Sequence, residues 1–132
     1  VGDAGAHVAT ICDASYPTFM VPFWSRDRTR GKLLNLEHLI AKQTLKTAQT
    51  YGLNDRGALL KGMRADINII DYEKISLTKP SLSYDLPAGG KRLIQKSNGY
   101  NHTFVKGIEV SHNGEFTGEL PGKLIRGKQS IN

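Results

Sequence analysis

The chain has 132 residues, 39% of them hydrophobic, a formal net charge of +6 and a single cysteine. This length predicts one globular domain with a modest core, and no run approaches the roughly 18 apolar residues of a membrane-spanning helix. One cysteine excludes an internal disulfide and any CxxC metal site, and makes a reducing, cytoplasmic compartment the default.

A net positive charge raises the question of nucleic acid. The arrangement argues against it. Arg26, Arg28, Arg30 and Lys32 form the densest basic cluster, and Asp27 interrupts it. Basic and aromatic residues do not interleave in the way that stacks bases. The charges read as a solvated surface, or as partners of acidic groups on another stretch of chain. Neither a nucleic-acid partner nor a membrane is expected.

The first seven residues, Val1-Gly2-Asp3-Ala4-Gly5-Ala6-His7, read as a strand that ends in a tight, ligand-facing loop. Small residues around a carboxylate let backbone and ligand approach closely. Asp3 suits either a catalytic carboxylate at a strand end or a loop aspartate that caps nearby backbone amides. His7 could orient Asp3 or touch substrate, or could be a hydrogen-bonded structural histidine. Cys12 and His7 lack a third, orienting residue, so Cys12 reads as a small buried hydrophobe rather than a nucleophile.

Residues 1–32 show little periodicity, and Pro17, Pro22 and the polar stretch 25–30 predict a long loop. Within it Asp13, Ser15, Trp24 and Arg26 are candidates to line a pocket. Arg26 could take a substrate carboxylate with both arms of its guanidinium, or be a solvated loop arginine. Phe23 and Trp24 suit burial as well as substrate contact.

Residues 36–51 form the one strong helical pattern. Leu36, Leu39, Ile40, Gln43, Thr44, Thr47, Ala48 and Tyr51 share a face. Asn35 is a suitable N-cap, Glu37 falls in the first turn, and Gly52-Leu53 fits a Schellman close. From residue 57 the pattern changes to short strands and turns. Ile67, Ile69 and Ile70 predict a buried strand between Asp66 and Asp71. Leu93–Gln95 is another candidate. Residues 103–105 and 108–111 flank Lys106-Gly107 as a hairpin, and Asn113-Gly114 is a second turn. Several short strands with regular turns suggest a β-sandwich or sheet.

The order of parts resembles the C-terminal end of a metal-dependent amidohydrolase. Tyr51-Gly52-Leu53, Asp55-Arg56-Gly57, Leu60-Lys61-Gly62, Ala65-Asp66 and a strand ending at Asp71 match the stretch where such chains leave their barrel and enter a small β-sandwich. The tail is similar to the N-acyl-D-amino-acid deacylase (D-aminoacylase) branch. It carries Asp85-Leu86-Pro87-Ala88-Gly89-Gly90, Val105-Lys106-Gly107-Ile108-Glu109-Val110, Thr117-Gly118-Glu119-Leu120-Pro121-Gly122 and Leu124-Ile125-Arg126-Gly127.

The resemblance implies an α+β, mainly β chain: the last strand, loop and helix of a (β/α)8 barrel (residues 1–55), then a small β-sandwich (residues 56–132). It implies hydrolysis of the amide bond of N-acyl (D-)amino acids or related amides. It also implies zinc in the parent enzyme, with Asp3 beside the metal-bound water as ligand and proton shuttle. His7 and Arg26 become substrate-binding candidates.

The family's His-x-His pair and its later metal ligands have no counterpart here. The four histidines are His7, His38, His102 and His112, and no two are spaced for a metal pair on one element. His38 should face outward, and His102 and His112 lie beside turns. The chain alone should therefore be inactive and bind no zinc. Its expected partners are the remainder of the amidohydrolase chain or another subunit, and a small amide substrate. Residues 8–34 should pack poorly, and the exposed helix face should drive oligomerisation or pairing of the Val1 segment. The alternative is a non-catalytic β-rich binding or assembly module descended from such an enzyme.

Overall fold

The computed structural model describes Ala4 and residues 12–131. Helix α1 (Tyr16–Pro22) has Pro17 in its first turn, where the missing N–H costs nothing and φ is already helical. After Pro22 the backbone widens into a π-helical turn, Phe23–Asp27. Arg28 N–H reaches back to Phe23 O at 3.0 Å, and Ser25 Oγ donates to Val21 O at 2.6 Å. The long loop expected over residues 1–32 is thus corrected for Tyr16–Asp27. Two prolines hid a helix that uses one at its start and changes register after the other.

The helix expected over 36–51 is present as two pieces, α2 (Leu36–Gln43) and α3 (Leu45–Thr50). The break is at Thr44 (φ −117°, ψ −93°). Both its N–H and its hydroxyl go to Ile40 O, at 3.0 and 2.7 Å. Such back-bonding bends helices. Thr47 Oγ1 donates to Lys42 O at 2.6 Å. Asn35 precedes α2 with extended backbone but makes no side-chain cap. The C-terminal stop is as expected. Gly52 has φ +71°, its N–H bonds Gln49 O at 3.0 Å, and Leu53 N–H bonds Ala48 O at 2.8 Å, the paired bonds of a Schellman motif.

The β region begins with β1 (Ile67–Ile70), β2 (Ser76–Leu77), β3 (Ser81–Leu86) and β4 (Gly90–Ile94). It continues with β5 (Ser97–Asn98), β6 (Tyr100–Val105), β7 (Ile108–His112) and β8 (Glu115–Phe116). One sheet has the order β1-β6-β7-β8, and β2-β5 and β3-β4 are two-stranded ribbons; every pairing is antiparallel. The chain is mainly β with helices at its start. Strand β1 is half-buried rather than buried, with Ile69 46% exposed, because it is an edge strand paired only with β6. Lys106 and Gly107 both have positive φ (54° and 77°), as do Asn113 and Gly114 (49° and 83°), as two-residue hairpin turns require. No helix among the described residues is long and apolar enough to cross a membrane.

The core of the described residues is small: Val21, Leu39, Ala48 and Ile75. Burial of Leu39 or Ile75 stabilises by about 1.5–3 kcal/mol each. Residues 12–34 do not pack poorly, because Val21 and Pro22 are buried and four polar side chains fasten the segment to the β region. Ser15 Oγ donates to Gln95 Oε1. Thr18 Oγ1 meets Tyr100 Oη at 2.9 Å, and Ser25 Oγ meets Tyr72 Oη at 2.8 Å. Arg26 is the fourth.

Ile75 is held under Gly99. Gly99 has φ +88°, and a Cβ there would stand 2.7 Å from Ile75 N and Cα and 3.0 Å from Asp71 O. Asp71 N–H also donates to Gly99 O at 2.8 Å. Gly114 has φ +83° with nothing within 4 Å of the same position. Gly99→Ala should therefore destabilise by at least about 1 kcal/mol more than Gly114→Ala, read from the urea midpoints of the two variants.

Candidate functional site

Asp3 and His7 lie outside the described residues. Cys12 is half-buried with a free thiol, Asp13 is exposed, and His38 is exposed on α2 as expected. The structure gives Arg26 a structural occupation. Nε and Nη2 bond the two carboxylate oxygens of Asp27, at 2.6 and 3.1 Å. Nη1 donates to Tyr72 O and, at 3.1 Å, to Glu73 O; Nη2 donates to Ile75 O at 3.0 Å. The guanidinium thereby caps the turn that leads into β2. Trp24 and Phe23 are half-buried. Arg28 stacks 4.5 Å over Trp24, and Phe23 stacks on Phe19 with centroids 4.8 Å apart. These are anchoring contacts.

Between α1 and α2 lies an open cleft of about 570 Å³, lined by Tyr16, Met20, Trp24, Leu34 and Leu39 with His38 and Lys42. Its lining is largely apolar and brings no group of catalytic side chains together.

The segment 52–71 is organised by charge. Arg56 binds Asp55 through Nε and Nη2, each at 2.8 Å, and reaches Asp66 Oδ2 at 3.4 Å. Arg64 Nε donates to Asp66 Oδ1 at 2.7 Å. The same oxygen accepts Lys106 N–H at 2.9 Å, while Gly107 N–H bonds Ala65 O at 2.9 Å. The network thus clamps the loop onto the β6–β7 turn. Asp55 and Arg56 are only 19% and 15% exposed. The hydrogen bond from Arg56 holds the Asp55 carboxyl below its usual range.

A second group was not legible in the spacing. His102 and His112 face each other across β6 and β7, with ring centroids 4.7 Å apart. The Nδ1 atoms of both lie against one oxygen of Glu109, at 2.7 and 3.0 Å. Contact with His102 first, then His112, holds the Glu109 carboxyl below its usual range. His102 and His112 are not a pair on one element, and spacing along one strand does not bring them together. They sit on different strands, and pairing rather than spacing unites them.

Over residues 2–110 the sequence matches the amidohydrolase family. The chain belongs to the amidohydrolase family. It is 36% identical over 95 residues to an N-acyl-D-aspartate deacylase of Alcaligenes xylosoxydans, covering 71% of this chain and 17% of the relative. An N-acyl-D-glutamate deacylase of the same organism is 31% identical over 101 residues, 76% of this chain and 19% of the relative. An allantoinase of Deinococcus radiodurans is 36% identical over 95 residues, 70% of this chain and 20% of the relative. The matched stretch therefore spans a fifth or less of each of these curated relatives. No solved structure matches the chain. The resemblance to the D-aminoacylase type seen in the tail motifs agrees with the two deacylases.

Amidohydrolases generally use metal ions. Among the described residues the only group of three ligating side chains is His102, Glu109 and His112, on a sheet hairpin rather than at the Asp3 segment that the resemblance singles out. The described residues do not build the family's catalytic centre. What they build from the family motif is the Asp55–Arg56–Arg64–Asp66 clamp. Its pH dependence follows from the lowered Asp55 carboxyl. A carboxylate that ionises more readily in the folded chain adds stability above its ordinary range of about 4. That stability is lost as pH falls through the lowered folded value. Asp55→Asn should cost about 1–2 kcal/mol at neutral pH and lose that part of the acid sensitivity, as checked by urea unfolding at neutral pH and at pH values below about 4.

Proposed function

We propose that this chain is the C-terminal part of a metal-dependent amidohydrolase that cleaves the amide bond of N-acyl D-amino acids or closely related amides. The observation that carries the reading is the family match over residues 2–110 together with the two deacylase relatives. In this reading residues 1–55 complete a (β/α)8 barrel, residues 56–132 form its companion β-sandwich, and the parent holds zinc in a cytoplasmic setting. The two-part layout is supported by the order of helices first and antiparallel strands after.

Asp3 is the proposed catalytic carboxylate. It takes a proton from the water that attacks the amide carbonyl carbon and returns it to the nitrogen as the C–N bond breaks, releasing carboxylate and amine. His7, four residues on in the sequence, is a substrate-binding candidate. Arg26 is the weaker substrate-binding candidate, because its donors already serve Asp27 and three carbonyls. The zinc ligands and most of the substrate pocket belong to the rest of the parent, either the same chain or another subunit. Exposed apolar side chains such as Leu59 (80%) and Leu120 (83%) suit cover by that remainder or by a second copy.

The test is turnover of the zinc-loaded parent on N-acetyl-D-aspartate, N-acetyl-D-glutamate, neutral N-acetyl-D-amino acids and allantoin. The parent should hydrolyse at least one N-acetyl-D-amino acid, and the 132-residue chain should hydrolyse none. Asp3→Asn in the parent should keep the fold and lower kcat by about 100-fold or more. A parent that folds, binds zinc and hydrolyses nothing in the panel would favour the non-catalytic module. Full activity in the Asp3→Asn parent would remove Asp3 from the mechanism.

A further inference from the structure

We propose that the β6–β7 hairpin carries a binding site for a divalent late first-row transition metal ion such as Zn²⁺, built from His102, Glu109 and His112. The inference does not depend on the amidohydrolase reading.

A two-residue turn at Lys106-Gly107 pairs Val105 with Ile108 and Phe104 with Glu109. Continued without interruption, that register would set His102 opposite Ser111. Instead the register shifts between Thr103 and Phe104, so Thr103 pairs Ser111 and His102 pairs His112. Val110 is the extra residue of a β-bulge. The shift also decides which way the side chains face. Glu109 and His112 are three apart, which in a regular strand puts them on opposite faces. The bulge returns them to one face, the face that His102 shares across the ladder.

The bulge is fastened from outside. Thr117 N–H donates to Val110 O at 3.1 Å, and Thr117 Oγ1 donates to Glu109 O at 2.8 Å. On the far side Asn113 N–H bonds Asn101 O at 2.7 Å. The backbone under all three ligands is therefore set before any ion arrives.

One ligand atom from each residue lies within 4.8 Å of the others. Zinc bonds of about 2.0–2.2 Å in tetrahedral geometry separate ligand atoms by about 3.3–3.5 Å. Small side-chain rotations reach that from the distances of 2.7 and 3.0 Å. Two imidazoles and one carboxylate favour zinc, copper, nickel or cobalt over magnesium or calcium. The rings are 34% and 54% exposed on their side chains and the carboxylate 33%, so an ion can enter from solvent and keep water in the remaining position. A metal ion competes with protons for such ligands, so binding weakens in acid. An ion there would pin β6 to β7.

The test uses the 132-residue chain with Zn²⁺ in calorimetric titration and Co²⁺ in visible absorption. One equivalent of Zn²⁺ should bind, Co²⁺ should develop d–d bands that Zn²⁺ abolishes, and Zn²⁺ should raise the thermal midpoint. His38→Asn should bind as the wild type does. His112→Gln and Glu109→Gln should each weaken binding by at least about tenfold while the circular dichroism spectrum is retained. His102→Asn combined with His112→Gln should abolish the Co²⁺ bands. Absence of saturable binding up to about 1 mM Zn²⁺, or undiminished affinity in the double variant, would overturn the site. If the double variant fails to fold, undiminished Zn²⁺ affinity in folded Glu109→Gln overturns it equally.

Discussion

The structure depends on a seam held by polar side chains rather than by oil. Arg26 threads its guanidinium among the carbonyls of Tyr72, Glu73 and Ile75. Those carbonyls belong to the turn that Lys74 and Ile75 N–H close on Asp71 O. With so few buried apolar residues, the helical segment and the strands meet mainly where Ser15, Thr18, Ser25 and Arg26 reach across. Directional bonds of this kind specify one docking geometry, whereas a small apolar contact tolerates sliding. Asp27 completes the fork and keeps the guanidinium planar to its targets.

A second layer of organisation comes from the family motif itself. The residues that mark segment 52–71 act by joining things distant in sequence. Arg56 and Arg64 converge on Asp66, and Asp66 caps the hairpin turn through Lys106 N–H. The loop that leaves the helices is thereby locked to the centre of the four-stranded sheet. The motif needs no part in chemistry to be specific in pattern, since two arginines and two aspartates must all reach one another at once.

The elements most legible in the sequence were those specified by local rules. The stop at Gly52-Leu53, the two hairpin turns and the strands around them follow from short-range chemistry, and the structure reproduces them. Features set by competition or by distant partners were not. The break at Thr44 arises because a hydroxyl competes for Ile40 O, which a face drawn at helical spacing does not show. Helix α1 was concealed by its prolines. The group of His102, Glu109 and His112 depends on a single inserted residue at Val110, which no pattern of spacing in one strand reveals. The catalytic reading came from resemblance alone, because Asp3 in a small-residue turn serves a cap as well as a reaction.

The tail has a consequence for how the molecule assembles. Gln129 N–H bonds Gly52 O at 2.8 Å, Asn54 N–H bonds Gln129 O at 3.1 Å, and the two stretches form a parallel bridge at Leu53. Every β-strand among the described residues lies between the two partners of that bridge. Closing so long a loop costs entropy until the sheet has shortened it, so the bridge gains from a sheet already formed. The tail is thus a latch on the end of α3, two backbone hydrogen bonds that draw the close of the helices and the close of the β region together.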